Sequence, residues 1–319
     1  MRQHSQDPVP APDTQVIGPV CVDINVDAQG RTEKIVGGAA ICAAAAAASL
    51  GHRVEAVATV GDTDHDLLSR FPDNVHRVVP VRSARTSSIR NVYTTTDQER
   101  RTCSALAQAD PLLPASIPQT GAAVQHLAGL MVGDYDPQVV PELASRGLLA
   151  VDMQGFLRKR QAGTDALGLA PFDGGAEFFE CIQYLKVDTA EGEHLTGRTD
   201  RRDIAQYLFD RGSREVMVSN SKEIIVLDQD GFHACPLRPR SLVGRTGRGD
   251  TVFSAYITER IRHGADQALL TACATVSLKM ETPGPLVCQR TDVEQYLTAV
   301  YADLYDPKEA EQHVGQARK

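Results

Sequence analysis

The sequence lacks the segments that would place a protein in a membrane or outside the cell. It contains no run of about 18 apolar residues, the length that a membrane-spanning helix requires. Residues 1–15 hold no apolar core of a signal peptide, and their composition predicts a disordered arm. We therefore expect a cytoplasmic protein without a membrane partner.

Closely spaced metal-binding or disulfide-forming residues are also missing. The seven cysteines are scattered and odd in number, and no two have the C-x-x-C spacing. The nine histidines form no H-E-x-x-H motif. These absences argue against a disulfide framework and against a structural zinc site, and they favour reduced cysteines in the cytoplasm.

Positive charge is scarce, because 33 basic residues face 41 acidic ones and the formal net charge is -8. Proteins that bind nucleic acid usually carry a basic surplus, so we expect no nucleic-acid partner. A hydrophobic content of 42% over 319 residues is typical of a globular protein with a substantial core.

Short apolar runs alternate with helical patterns along most of the chain. The runs typical of strands are 16–26, 54–61, 124–133, 148–155, 178–188 and 215–220, and 223–235 predicts a hairpin; helices are predicted at 39–51, 137–147 and 203–212. Such alternation indicates a parallel sheet covered by helices on both faces. Ligands of these sheets bind at the carboxyl ends of the strands.

One segment interrupts this alternation. Residues 85–105 are rich in β-branched and polar side chains, which predicts antiparallel strands with one exposed face. Together with residues 20–35 they would form a small sheet beside a main domain that spans 16–305. The polar residues 306–319 predict a frayed tail.

The stretch VGRTGRGDTVFSAYITERI, residues 243–261, places three glycines and two arginines before Asp250. An apolar pattern of helical spacing follows, so a helix should begin near Asp250. A helix N-terminus favours phosphate, and an aspartate there could take a proton from an attacking hydroxyl. Two other interpretations stay open: Asp250 as an N-cap worth about 1 kcal/mol, and Arg248-Gly249-Asp250 as an adhesion tripeptide. The lysine of a P-loop is missing.

TGRGDTVFSAY resembles the C-terminal signature of the ribokinase-like (PfkB-type) carbohydrate kinases, DTTGAGDTF-x-x-G. Gly37-Gly38, Leu50-Gly51 and Val60-Gly61-Asp62 resemble the N-terminal signature of the same family. The two signatures occur in the family's order and span most of the chain.

The resemblance implies an α/β fold, a Rossmann-like three-layer α/β/α core with a small β-sheet lid. It implies phosphoryl transfer from ATP, with Mg²⁺, to a hydroxyl of a sugar or sugar-like acceptor. A homodimer is a further expectation. Asp250 would be the catalytic base, and the amides of Gly247, Arg248 and Gly249 would form an anion hole. The Arg248 side chain, where the family has alanine, would either add charge stabilisation or point to solvent.

LKVDTAEGEHLTG, residues 185–197, resembles the family's N-x-x-E segment. The resemblance implies that Asp188 lies in the cofactor site and that Glu191 organises Mg²⁺, largely through water. An Asp-x-x-Glu pair that opens a helix is also a capping box. Both roles can hold at once.

The acceptor site is also implied by the resemblance. Asp23 matches the family's substrate-binding aspartate, whereas Cys42 replaces its asparagine. Further candidates follow from the same motif or from a place in the lid or at a strand end: Gly37, Gly38, Asn91, Arg101 and Gln154. The charge run 158–160 predicts a solvated surface.

The nucleotide side departs from the family's pattern. Ser219–Ile224 stands where the family has T-x-G-x-x-G, and both glycines are missing. Ser219, Ser221 and Thr246 are the candidate nucleotide contacts. Two functions therefore stay open: a small-molecule kinase for a sugar, nucleoside, sugar-acid or cyclitol acceptor, and a ligand-binding or regulatory protein of the same fold without turnover.

Overall fold

The computed structural model of the protein describes residues 10–94 and 101–305. Most of the predicted N-terminal arm, the predicted C-terminal tail and positions 95–100 of the predicted lid lie outside the described residues. The last two residues of the predicted arm, Thr14 and Gln15, belong to the first strand.

Strands and helices alternate along the described residues. The strands are β1 (Thr14–Pro19), β2 (Cys21–Val26), β3 (Thr32–Gly37), β4 (Val54–Gly61), β5 (Arg77–Ser83), β6 (Ser87–Tyr93), β7 (Arg101–Ala107), β8 (Val124–Leu127), β9 (Leu148–Asp152), β10 (Arg158–Arg160), β11 (Leu167–Leu169), β12 (Tyr184–Asp188), β13 (Glu215–Ser219), β14 (Glu223–Asp228) and β15 (Gly231–Pro236). The α-helices are α1 (Ala39–Ser49), α2 (Val139–Arg146), α3 (Gln154–Leu157), α4 (Ala176–Glu180), α5 (Thr189–Thr196), α6 (Arg201–Asp210), α7 (Arg248–Glu259), α8 (Ala265–Lys279) and α9 (Arg290–Val300). Short 3-10 helices lie at His65–Arg70 and Pro114–Ser116.

The main sheet has the strand order β15-β14-β13-β12-β9-β8-β1-β4-β5. The strands from β5 to β13 are parallel, and β13, β14 and β15 are joined antiparallel. The predicted parallel sheet and the predicted hairpin are therefore confirmed.

Helices cover both faces of this sheet, as alternate side chains of one strand show. Val216 and Val218 of β13 belong to an apolar cluster that includes residues of α2 and α6. Met217, between them, belongs to a second cluster that includes residues of α7, α8 and α9. Because successive side chains of a strand point to opposite faces, the two clusters lie on opposite sides of the sheet and form a three-layer core.

The four strands of the lid form a second sheet in the order β3-β2-β6-β7. Its two hairpin pairs are antiparallel, as expected, whereas β2 and β6 pair in parallel. The prediction of one strand over 16–26 is wrong, because the chain leaves the main sheet at Val20 and enters the lid at Cys21. The eleven residues are continuously apolar except at two positions, so nothing in the pattern marks the change of sheet.

Gly38, which directly follows β3, packs closely against the point between β1 and β2 where the chain changes sheet. Gly38 has φ +102°, and a side chain there would come within 2.9 Å of the Cys21 amide nitrogen. Only glycine combines that backbone conformation with so close an approach. The start of α1 is thereby held directly beside the junction between sheet and lid.

Candidate active site

A cavity of about 650 Å³ lies where the lid, the carboxyl ends of the main-sheet strands and the N-terminus of α7 meet. Most of the residues that the sequence singles out line it: Asp23, Gly37, Gly38, Cys42, Asn91, Arg101, Gln154, Asp188, Ser219, Thr246, Gly247, Arg248, Gly249 and Asp250. Glu191 and Ser221 are not among the lining residues. The cavity lies at the edge of the sheet where ligands of parallel α/β folds bind.

The glycine loop and the start of α7 form one wall of the cavity. Gly247, with φ +81°, is the N-cap residue of α7, and the helix begins at Arg248. The interpretation of Asp250 as the N-cap is therefore wrong, since Asp250 is the third residue of the helix. The Arg248 amide donates to the Arg245 carbonyl at 3.2 Å. The Arg248 amide, which the sequence analysis assigned to the anion hole, is therefore engaged, whereas the other amides of the first turn have no partner within the helix and suit an anion.

Cys42 lies directly under this loop. A side chain on Gly247 would approach the Cys42 sulfur to 2.6 Å, so the loop and α1 pack in close contact. The thiol is 6% exposed, and burial raises its pKa to about 12, which keeps it neutral. Cys42 therefore contributes shape to the cavity rather than charge.

Asp250 reaches solvent through the cavity, and no described residue donates a hydrogen bond to its carboxylate. Burial raises the pKa of Asp250 to about 6, and the nearby Asp152 carboxylate adds to the rise. The ammonium groups of Lys186 and Lys279 act in the opposite direction. A carboxylate with a pKa near neutrality can accept a proton and release it again at physiological pH.

Lys186, which the sequence analysis missed, is the principal buried cation of the site. Its ammonium donates to both Asp152 oxygens at 2.9 and 3.1 Å and lies 4.0 Å from Glu191 Oε2. These carboxylates outweigh burial and raise the pKa of Lys186, so the side chain stays charged. The only signal in the sequence is a lysine inside the apolar run of β12, which needs a carboxylate partner when buried.

The segment that opens α5 is a capping box, as its sequence indicates. Asp188 Oδ1 accepts from the Glu191 amide, and Glu191 Oε2 accepts from the Asp188 amide, each at 2.8 Å. Burial raises the pKa of Glu191 to about 7, against the opposing charge of Lys186. Glu191 is thus tied to α5 and faces Lys186, whereas Asp188 faces the cavity.

The fit of the site to Mg²⁺ depends on Asp188. Among residues 10–94 and 101–305, no group of three or more His, Cys, Asp or Glu side chains could hold a metal ion. Mg²⁺ commonly binds through one or two carboxylates, substrate phosphates and water. Asp188 satisfies that sparse requirement, so the residues fit a metal that arrives with a phosphate donor.

Two further cations reach the cavity. Lys279 is buried and donates to the carbonyls of Gly244 and Thr246, so it supports the glycine loop from below. Burial lowers the pKa of Lys279. Arg158 also lines the cavity, and the expectation of a solvated surface is wrong for it. The expectation is confirmed for Lys159 and Arg160, which are exposed.

The lid contributes hydrogen-bonding groups to the other end of the cavity. Asn91 donates to Asn25 Oδ1 at 3.0 Å and accepts from the Cys103 thiol at 3.2 Å, so its amide is fixed in orientation. Burial raises the pKa of Asp23, and the guanidinium groups of Arg101 and Arg158 oppose that rise. This end of the cavity is polar and suits an acceptor with several hydroxyl groups.

With this geometry in view, the comparison with protein families is decisive. The family model of the pfkB family carbohydrate kinases matches residues 15–292. The chain belongs to this family. A search of curated proteins finds no match. No helix among the described residues is long and apolar enough to span a membrane.

Solved structures of ribokinase-family kinases share the fold of this pfkB-family chain. A pyrophosphate-dependent kinase of that family, complexed with a pyrophosphate analogue and myo-inositol, is 29% identical with a TM-score of 0.80. The match covers 88% of this chain and 99% of that one. A pyrophosphate-dependent myo-inositol-1 kinase, converted by mutation into a myo-inositol-3 kinase, is 27% identical with a TM-score of 0.80 over 92% and 100% of the two chains. Ribokinase of Arabidopsis thaliana, complexed with ribose and ATP, is 18% identical with a TM-score of 0.70 over 90% and 99%, which shows the fold alone.

The nucleotide side of the site, in this family member, lies at the end of β13, beside the turn that follows it. Ser219, at the end of β13, lines the cavity, whereas Ser221 is exposed in the next turn. Asn220 Oδ1 accepts from the amides of Lys222 and Glu223 and tightens that turn. On this side the cavity lining ends at Ser219, and no later residue of the turn that replaces T-x-G-x-x-G lines the cavity.

Proposed function

We propose that the protein transfers a phosphoryl group from a phosphoanhydride donor to a hydroxyl of a sugar-like acceptor held under the lid. The observation that carries the proposal is the position of Asp250. Its carboxylate, with a pKa of about 6, stands at the amide-rich start of α7 inside the cavity that lid and sheet share. Phosphoryl transfer requires a base beside an anion-binding wall.

Each charged group has a distinct role in this proposal. Asp250 accepts the proton of the attacking hydroxyl as the new oxygen–phosphorus bond forms and the bond from that phosphorus to the donor's bridging oxygen breaks, with the remaining phosphate of the donor as leaving group. The amides at the start of α7 and the ammonium of Lys186 stabilise the charge on the transferred group. Asp188 would hold Mg²⁺ together with the donor phosphates, and the bound ion would neutralise further charge on the transferred group.

The acceptor class follows from the lid end of the cavity. Asp23 can accept charge-assisted hydrogen bonds from adjacent hydroxyls, each worth about 1.5–3 kcal/mol. Cys42 is smaller than asparagine and hydrogen-bonds weakly, so its side of the cavity is less polar than in a kinase with asparagine there. A bulkier ring such as a nucleoside or a cyclitol suits this shape better than free ribose. The neighbour that holds myo-inositol supports the cyclitol.

The donor has two candidates. ATP is the donor that the family resemblance implies. Pyrophosphate is the second candidate, because no residue of the turn after Ser219 lines the cavity and an ion pair of 2.6 Å between Arg201 and Glu223 holds the end of that turn. The phosphate end of the cavity remains rich in cations, with Arg245, Arg248 and Lys279 among its lining residues. The pyrophosphate-dependent neighbours support the same candidate.

A donor and acceptor panel tests the proposal. ATP and pyrophosphate would each be offered with myo-inositol, a nucleoside, ribose and a sugar acid, in Mg²⁺ and in excess chelator. We expect metal-dependent transfer, with kcat/KM for ribose below that for the cyclitol or nucleoside. The donor that gives the higher kcat/KM is the one that the protein prefers. Ligand binding without transfer from either donor would instead favour the non-catalytic binding protein.

A further inference from the structure

Among residues 10–94 and 101–305, a side-chain hydrogen bond across the cavity connects the lid to the glycine loop. The hydroxyl of Tyr93 lies 3.0 Å from Thr246 Oγ1. Tyr93 is the last residue of β6 and is only 6% exposed, whereas Thr246 directly precedes the N-cap residue of α7. The bond thus connects the sheet that covers the acceptor to the loop that faces the donor.

Thr246 is held from two directions. Its carbonyl accepts from Lys279, on the core side of the loop, and its hydroxyl meets Tyr93, on the lid side. The Tyr93 hydroxyl is itself fixed, because Arg101 Nη1 donates to it at 3.4 Å. Gly247, the next residue, has a conformation that glycine alone adopts freely, so the support of Thr246 decides where its amide points.

The contact on the core side is independent of the lid, because Lys279 belongs to α8 and packs with the main domain. The contact on the lid side exists only while β6 lies over the cavity. Thr246 therefore keeps both of these contacts only when the lid covers the acceptor end of the cavity.

We propose that Tyr93 is a positioning residue that couples acceptor binding to donor binding through Thr246. The inference rests on the proposed function. An acceptor under the lid stabilises the position of β6, the Tyr93 hydroxyl then fixes Thr246, and the amides at the start of α7 are oriented for the donor phosphate. A single hydrogen bond of ordinary strength corresponds to a coupling of roughly 2- to 10-fold in affinity.

Equilibrium binding, without turnover, measures this coupling. The probe is methylenediphosphonate or the β,γ-imido analogue of ATP, according to the donor that the panel selects, titrated calorimetrically with Mg²⁺. Its Kd would be measured with and without a saturating amount of the best acceptor. In the wild-type protein we expect the acceptor to tighten the donor analogue by roughly 2- to 10-fold. The donor analogue must tighten the acceptor by the same factor, because coupling is reciprocal.

Two variants remove the bond from either side. Tyr93→Phe deletes the lid hydroxyl, and Thr246→Val deletes its partner with little change of shape. We expect the coupling factor to fall below the wild-type value in each, and the double variant to lose no more than either single variant. Tyr207→Phe is the matched control, since its hydroxyl accepts from Arg211 on α6, away from the cavity. It should keep the wild-type factor.

The outcomes separate this inference from the proposed function. Wild-type coupling in both Tyr93→Phe and Thr246→Val, or no coupling in the wild-type protein, overturns the role of Tyr93 while transfer in the panel still stands. Absence of transfer in the panel overturns the proposed function, whatever the binding data show. A thermal melt of both variants checks that they remain folded. A loss of coupling can then be assigned to the missing side-chain group.

Discussion

Each end of α7 carries one carboxylate, fully buried at Glu259 and partly buried at Asp250, and the two differ in the partners that decide their chemistry. Glu259, at the C-terminal end, is fully buried and contacts His52 at 2.8 Å and Arg290 at 2.8 and 3.1 Å. The Nε2 atom of His263 lies 3.6 Å from Glu259 Oε2. Asp250, at the N-terminal end, receives no hydrogen bond from any described residue.

The pKa values of the two groups diverge accordingly. Burial alone would raise the pKa of Glu259, but hydrogen bonds from His52 and Arg290 lower it to about 2. Burial raises the pKa of Asp250 to about 6. The helix dipole favours the opposite order, since it stabilises negative charge at the N-terminus. The partners, and not the dipole, therefore set the two pKa values, which fits a structural role for Glu259 and the proposed role of Asp250 as the base.

The largest expected effect concerns the uncompensated carboxylate. Asp250→Asn should lower kcat by roughly 10²–10⁴-fold, because the amide cannot accept the proton of the acceptor hydroxyl. Steady-state kinetics with the best substrate pair measures the change, and the Kd of a non-hydrolysable donor analogue serves as control. Near-normal turnover would leave Asp250 without a role as the base.

The sequence predicts this end of α7 far better than the other. The glycines and Asp250 are contiguous, so local pattern and family signature both reveal them. Lys186 and its partner Asp152 lie 34 residues apart on adjacent strands, and their pairing depends on sheet order that no local pattern encodes. The cluster around Glu259 likewise joins residues from the ends of three helical segments.

The Glu259 carboxylate, which has charged partners, should stabilise the fold. Glu259→Gln would leave His52 and Arg290 without their charged partner, and breaking such a buried pair costs about 3–5 kcal/mol of unfolding free energy. Urea unfolding at pH 7 measures the loss. The difference should shrink as pH falls from about 4.5 towards about 2, because the wild-type carboxylate loses its stabilising charge over that range. Equal stability of the two proteins at pH 7 would contradict the comparison.

A smaller effect of opposite sign is expected at the other end. A raised folded-state pKa means that ionised Asp250 opposes folding, so its contribution is favourable at low pH and lost as pH rises through about 6. Asp250→Asn mimics the protonated form and should be more stable than wild type by roughly 3 kcal/mol at pH 8. The two proteins should unfold alike near pH 3.5. A less stable Asp250→Asn at pH 8 would show that the carboxylate is compensated after all.

The smallest effect tests what sets the pKa of Asp250. The plot of kcat/KM against pH should fall below about pH 6, because the base must be ionised. The Asp152 carboxylate contributes to that pKa, and it also offsets part of the Lys186 charge. Asp152→Asn removes the negative charge that raises the pKa of Asp250. It also leaves more of the Lys186 charge uncompensated, and both changes favour ionised Asp250.

We therefore expect Asp152→Asn to move the acidic limb of the kcat/KM profile to lower pH by roughly one unit, the usual size of such a shift in folded proteins. Asparagine can still accept a hydrogen bond from Lys186, so the local geometry should persist. Asp210→Asn, on the exposed end of α6, is the matched control and should leave the limb unchanged. A limb that stays in place, or moves to higher pH, in Asp152→Asn would mean that Asp152 does not govern the proton affinity of Asp250.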